Sequence, residues 1–189
     1  LAFRWLYSIE KQSVTNAVSV NSLRFAQIYF FAMCLFYDKI DNMEIKLVTS
    51  DKKEFLELLL LADEQESMID RYLERGDMFV LYDNGLKALC VVTREGEGIY
   101  EIKNIATVPF FQRQGYGKRL IEFLFEYYQG KCSEMLVGTG DVPSSRSFYE
   151  HCGFAISHRI KNFFTDNYDH SMYEDGVQLV DMIYLKKTF

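Results

Sequence analysis

Two hydrophobic periods alternate along this chain, and the switches between them outline a domain. The run Met43-Glu44-Ile45-Lys46-Leu47-Val48-Thr49 reads as a first strand. Asp51 and Glu54 then form a capping pair for a helix carrying Phe55, Leu58, Leu59 and Ala62 inward. A second helical stretch covers 64–75 and closes at Gly76. Apolar runs at 78–82 and 86–93 flank Asp83-Asn84-Gly85, a hairpin signal because Asn-Gly tolerates the positive φ of a tight turn. Another turn at 95–98 leads into a strand over 99–108. Leu120, Ile121, Leu124, Phe125 and Tyr128 recur at helical spacing across 117–128. A short strand follows at 135–139. Asp141 and Pro143 open a helix that Gly153 ends, and strands at 154–160 and 177–185 close the chain around an aromatic and acidic loop, 162–176. Helices between strands in this order predict an α/β (α+β) fold with a mixed, mostly antiparallel central sheet flanked by helices.

Composition narrows the picture. A chain of 189 residues with 49% hydrophobic and 16% aromatic content supports one well-buried domain, with room for an appendage. A net charge of −6 and no basic stripe argue against a nucleic-acid partner. Cys34, Cys90, Cys132 and Cys152 show no C-x-x-C spacing and read as reduced thiols of a cytoplasmic protein, with no metal expected. Residues 1–42 differ in character, and the functional domain is expected to span 43–189. The first segment is read as upstream sequence outside that domain, the alternative being an amphipathic extension that packs on a partner or a second copy. Its best apolar run, 28–37, is half the length needed to span a bilayer, so no membrane partner is expected.

The chemistry concentrates at Gln112-Arg113-Gln114-Gly115-Tyr116-Gly117, between the strand over 99–108 and the helix over 117–128. A helix start leaves backbone N–H groups unpaired at the positive end of the helix dipole, ready for an anion, and glycine lets a ligand approach the backbone. A magnesium-holding phosphate loop would need Ser or Thr after Gly117-Lys118, where Arg119 stands. A dinucleotide fingerprint would need a third small residue where Leu120 stands. Q-x-x-G-x-G remains.

Together with Ser147-Phe148-Tyr149-Glu150-His151-Cys152-Gly153-Phe154, this strand–loop–helix resembles the GNAT superfamily of acyl-CoA-dependent N-acetyltransferases, from about Met43 to the C-terminus. The resemblance implies acetyl-CoA as cosubstrate. Its pyrophosphate would be cradled by Gln112, Arg113, Gln114, Gly115, Tyr116, Gly117 and Lys118. Its acetyl and pantetheine parts would lie along the backbone of Ala106, Thr107 and Val108, where this strand splays from the one containing Gly138. Asp141 is the counterpart of an asparagine that contacts the cofactor in many relatives. Glu101, fourteen residues before Gly115, takes the family's offset for a general base. Tyr149, in Tyr-x-x-x-Gly-Phe, takes the position of the acid that protonates the leaving sulfur. Side-chain alternation puts Glu101, Lys103 and Ile105 on one strand face and Ile102, Asn104 and Ala106 on the other.

The expected activity is therefore acetyl transfer to a primary amine of a small molecule or peptide, by direct attack in a ternary complex. The rival is a GNAT-fold module that binds acyl-CoA or partners without turnover. Aromatic rings and carboxylates in 162–176 suit an ammonium-bearing acceptor. The aromatic C-terminal strands leave room for a homodimer. His151, His158 and His170 show no ligand spacing and read as surface residues, and Cys152 as a small buried thiol.

Overall fold

The computed structural model describes residues 43–189, so the expectations for 1–42 and Cys34 lie outside the described residues. In chain order, β1 (Met43–Val48) is followed by α1 (Leu56–Leu59), α2 (Glu66–Ile69), β2 (Asp77–Asp83), β3 (Leu86–Gly96) and β4 (Ile99–Thr107). Then come α3 (Tyr116–Tyr127), β5 (Glu134–Gly140), α4 (Pro143–His151), β6 (Ala155–Ile160), α5 (Phe163–Asn167), β7 (Tyr173–Glu174), β8 (Val177–Gln178) and β9 (Met182–Thr188). Seven strands form one sheet in the order β1-β2-β3-β4-β5-β9-β6. Only β4 and β5 pair in parallel, and every other neighbouring pair in this sheet is antiparallel.

The sheet is covered on both faces, which is why β2 and β3 read as nearly continuous apolar runs. Phe79, Cys90, Val92 and Ile102 pack against Leu120, Ile121 and Leu124 of α3 on one face. Met78, Val80, Leu89 and Val91 pack against Leu58, Leu59, Ile69 and Leu73 on the other. The Asn84-Gly85 hairpin forms as expected, with φ of 51° and 105°.

Four predicted elements differ. Asp51 does not cap through its side chain. It sits at φ 53°, and a 3-10 turn (Lys52–Phe55) precedes the single turn of α1. Lys52 opens that turn, and its buried ammonium donates to the carbonyls of Leu73 (2.9 Å), Glu74 (3.1 Å) and Gly76 (2.8 Å). Of the helix predicted over 64–75, only Glu66–Ile69 is regular. The strand predicted over 177–185 is broken. Asp175 and Gly176, at φ 50° and 77°, turn β7 into β8 as a separate hairpin, and β9 starts only at Met182. The loop predicted over 162–176 contains α5.

The largest local departure lies in β4. Val91 faces Asn104 and Val92 faces Ile102, so Lys103 is an extra residue, a β-bulge that resets the alternation. Glu101 (opposite Thr93), Asn104 and Ala106 therefore share the face toward α1 and α2, while Ile102 and Ile105 face α3. The expected grouping of Glu101 with Ile105, and of Ile102 with Asn104, does not hold.

Candidate active site

β4 and β5 pair only from Ile99↔Glu134 to Ile102↔Val137, although both strands continue. Beyond that point they separate, as the splay expected from sequence requires. Val108 is turned away from the gap. Its N–H donates to the Lys87 carbonyl (2.8 Å) and its carbonyl accepts from Phe111 (2.8 Å), so the expectation of a free Val108 backbone is corrected. Because antiparallel pairing alternates, Ala106 also faces β3, and the free edge belongs to Ile105 and Thr107. Gly138 has a reason within the protein: a Cβ there would meet Met182 Sδ at 2.6 Å and the Tyr184 ring at 3.2 Å.

The glycine loop leads from this gap into α3. Gly115 is the cap residue at φ 91°, and a Cβ there would meet nothing within 4 Å, so the loop surface is open. Arg113 also adopts a positive φ of 59°. Gln112 and Gln114 tie the loop to itself through the carbonyls of Thr107 (3.4 Å) and Phe110 (3.1 Å). Gly117 serves packing, since its Cβ would approach Phe148 at 3.3 Å and Thr107 Oγ1 at 3.6 Å. Tyr116 is fastened to Asp83 (2.8 Å). Exposed Arg113 and Lys118 stand beside the open N–H groups, a set that fits a pyrophosphate.

Glu101 is buried, with its side chain 9% exposed. Its Oε1 accepts from Tyr184 (3.0 Å), and its Oε2 pairs with Lys103 Nζ (2.7 Å). Lys103 also reaches Glu95 (3.5 Å), which pairs with Arg75 (2.7 Å). Burial, the largest single influence on Glu95, pushes its carboxyl up. Thr93, Arg75 and Lys103 together outweigh that and hold it below the usual carboxylate value. Tyr149 is buried beside Phe148 and Phe154. Burial, with Glu174 and Cys152 adding to it, pushes its phenol well above the ordinary value, so the hydroxyl keeps its proton at neutral pH. It makes no side-chain hydrogen bond among the described residues.

Glu101 and Tyr149 line one cavity of about 320 Å³, within the range of small-molecule sites. Val137 and Gly138 reach it from β5, Phe163, Phe164, Tyr168, Met172 and Glu174 from the loop anticipated as an acceptor wall, and Leu179 from beyond that loop. Other loop acids point elsewhere: Asp169 pairs with His170 (2.7 Å) and Asp175 accepts from Ser144 (2.6 Å). Asp141 pairs with Arg146 (3.4 Å) and with Arg159, so its carboxylate serves an ion network. Among the described residues no group of His, Cys, Asp or Glu could hold a metal, and no helix is long and apolar enough to cross a membrane.

Sequence reasoning missed Tyr184, Lys103, Asn104, Asp63 and the cations Arg71 and Arg75, all of which line the cavity. Asp63 accepts from Tyr72 (3.2 Å) and Tyr168 (3.0 Å). Burial raises its carboxyl above the usual value, against the pull of those hydrogen bonds. No residue type in β4 marks the bulge that brings Lys103 there.

Residues 74–156 match the family model of the acetyltransferase (GNAT) domain. An uncharacterized N-acetyltransferase, YvbK of Bacillus subtilis (strain 168), is 32% identical over 149 residues, covering 77% of this chain and 96% of that protein. A GNAT family acetyltransferase from Elizabethkingia anophelis, solved with acetyl-CoA bound, is 34% identical with a TM-score of 0.73, covering 79% of this chain and 99% of its own. A Bacillus subtilis acetyltransferase solved with CoA is 31% identical with a TM-score of 0.71, covering 78% and 99%.

Proposed function

Because the chain belongs to the GNAT acetyltransferase family, we propose that residues 43–189 transfer an acetyl group from acetyl-CoA to a primary amine, by direct attack in a ternary complex. The observation that carries this reading is that Glu101 and Tyr149, fixed by different elements, line one cavity where β4 and β5 separate. The pyrophosphate sits on the N–H groups of 113–118, and the thioester arm follows the free edges of Ile105 and Thr107. Two relatives solved with acetyl-CoA or CoA support that cosubstrate.

An alkyl ammonium has a pKa near 10.4 and must lose a proton before its nitrogen can attack. Glu101 takes it, directly or through a water, while Lys103 and Tyr184 hold the carboxylate in place. The nitrogen lone pair forms the C–N bond to the thioester carbonyl carbon, and the C–S bond breaks. The departing sulfur takes the Tyr149 hydroxyl proton. The second nitrogen proton leaves as the amide forms and, through solvent, restores the phenol. One proton is released per turnover.

The test is thiol release from acetyl-CoA by the full chain across a panel of amines, repeated with Tyr149→Phe and Glu101→Gln. Release with an amine, reduced in both variants, supports the reading. Binding of CoA with no release to any amine assigns the chain to the binding-module class instead. Unaltered rates in the variants remove the two residues from the mechanism.

A further inference from the structure

We propose that the acceptor is an amine that also carries a carboxylate on an apolar body, its N–H donating to Asn104 Oδ1 and its carboxylate paired with the Arg71 guanidinium. This inference rests on the acetyltransferase reading and specifies the acceptor of the same cavity.

Asn104 is 3% exposed and lines the cavity. Its Nδ2 donates to the Leu59 carbonyl (3.0 Å) and to the Tyr72 hydroxyl (3.1 Å), which itself donates to Asp63. Those partners fix the amide's orientation, since turning it over would set Oδ1 against the Leu59 carbonyl. Oδ1 is thereby left buried with no donor. A buried acceptor of this kind requires a partner, and it lies on the same face of β4 as Glu101. A neutral amide oxygen accepts from an ammonium and from a neutral amine alike. It therefore holds the nitrogen without opposing the proton loss that attack requires, as a second carboxylate there would.

Three of the charged groups around the cavity are engaged. Asp63 accepts from two tyrosines, Glu174 accepts from Ser145, and Arg75 pairs with Glu95. Arg71 differs. It lines the cavity from an exposed position and makes no hydrogen bond or ion pair among the described residues, although Asp63 and Tyr168 lie near enough to feel its charge. A guanidinium presents a planar fork suited to a carboxylate. Met68, Met172 and Leu179 are further wall residues and suit an apolar body. One buried acceptor without a donor and one exposed cation without an ion pair, on a wall with apolar residues, suit a ligand with a donor at one end and an anion at the other. A polyamine would leave Arg71 facing like charge.

The experiment compares matched acceptors differing only in the carboxylate: phenylalanine with phenethylamine, and leucine with isoamylamine, by thiol release with the full chain. The expected result is a preference for the carboxylated member of about tenfold or more in kcat/KM, the scale of one charge-assisted hydrogen bond. In Arg71→Ala that ratio should fall about tenfold through KM for the carboxylated acceptor, and Arg71→Lys should recover part of it. Asn104→Leu should raise KM for carboxylated and plain amines together, with the acetyl-CoA-induced rise in melting temperature unchanged. Transfer to plain amines with no preference, or a ratio indifferent to Arg71→Ala, overturns this inference and leaves the acetyltransferase reading standing. No transfer to either set, with acetyl-CoA bound, overturns both.

Discussion

The glycine loop and the acceptor cavity adjoin the same gap between β4 and β5, yet they are built in opposite ways. The loop is made by consecutive residues, 112–118, and works through backbone N–H groups and a left-handed glycine. The cavity is made by side chains brought from distant parts of the chain: Tyr168 meets Asp63 across 105 positions, and Tyr184 meets Glu101 across 83. A site made of local backbone leaves its mark in a short string of residues. A site made of nonlocal side chains exists only once the fold has formed.

The comparison breaks most visibly at Tyr149. Tyr149→Phe keeps the ring and removes the proton, so kcat should fall about 10²- to 10⁴-fold while the acetyl-CoA-induced rise in melting temperature persists. Glu101→Gln should fall in the same range, and the double variant by less than the product of the two. Burial holds the Tyr149 phenol above its ordinary value of about 10, so the wild-type rate profile should show no decline below pH 10 from loss of this acid.

Gly138→Ala tests the cavity from beneath. Its methyl would meet Met182 and Tyr184, at a cost of about 1–3 kcal/mol and several degrees of melting temperature. The displacement of Tyr184 should also free Glu101 and change the rate. A stable variant with wild-type kinetics would separate Tyr184 from the site.

Gly115→Ala sharpens the contrast on the loop side. There is space for the methyl, so the cost is the left-handed backbone alone, about 1–2 kcal/mol, accompanied by a raised KM for acetyl-CoA. Gly117→Ala has ordinary φ and meets only the Phe148 ring edge, so its effect on that KM should be smaller. The opposite ranking in titrations of the two variants would move the anion site off Gly115.

The smallest effect concerns Glu95. Its folded-state pKa lies below the unfolded value of 4.5, so its contribution is present above that pH and is lost as pH falls through the folded value. Glu95→Gln should destabilise by about 1 kcal/mol at pH 7, and the difference should vanish in acid. Denaturant midpoints at the two pH values measure it.

The same contrast explains what the sequence disclosed. The Asn84-Gly85 hairpin, α3 and the start of α4 at Pro143 rest on local turn chemistry and helical spacing, and they appear where the residues place them. The Asp175-Gly176 hairpin carries the same turn signal but lies inside an aromatic loop whose apolar spacing obscures it. The bulge at Lys103 was illegible because no residue type marks it, and it decides which face carries Glu101 and Asn104. Lys52 capturing carbonyls 21 to 24 residues away is equally illegible, because no window along the chain contains that interaction. Val108 was assigned to the gap because ladder register cannot be read without the partner strand.

The central claim is that the glycine loop and the open edge of β4 bind the acyl donor. The direct measurement is the melting temperature of the full chain with and without acetyl-CoA, for the wild type and for Gly115→Val. A donor at 100 times its dissociation constant should stabilise the wild type by about 2.7 kcal/mol, a rise of several degrees. The folded variant should show a much smaller rise. An equal rise in both would place the donor elsewhere, and no rise in the wild type would contradict the account.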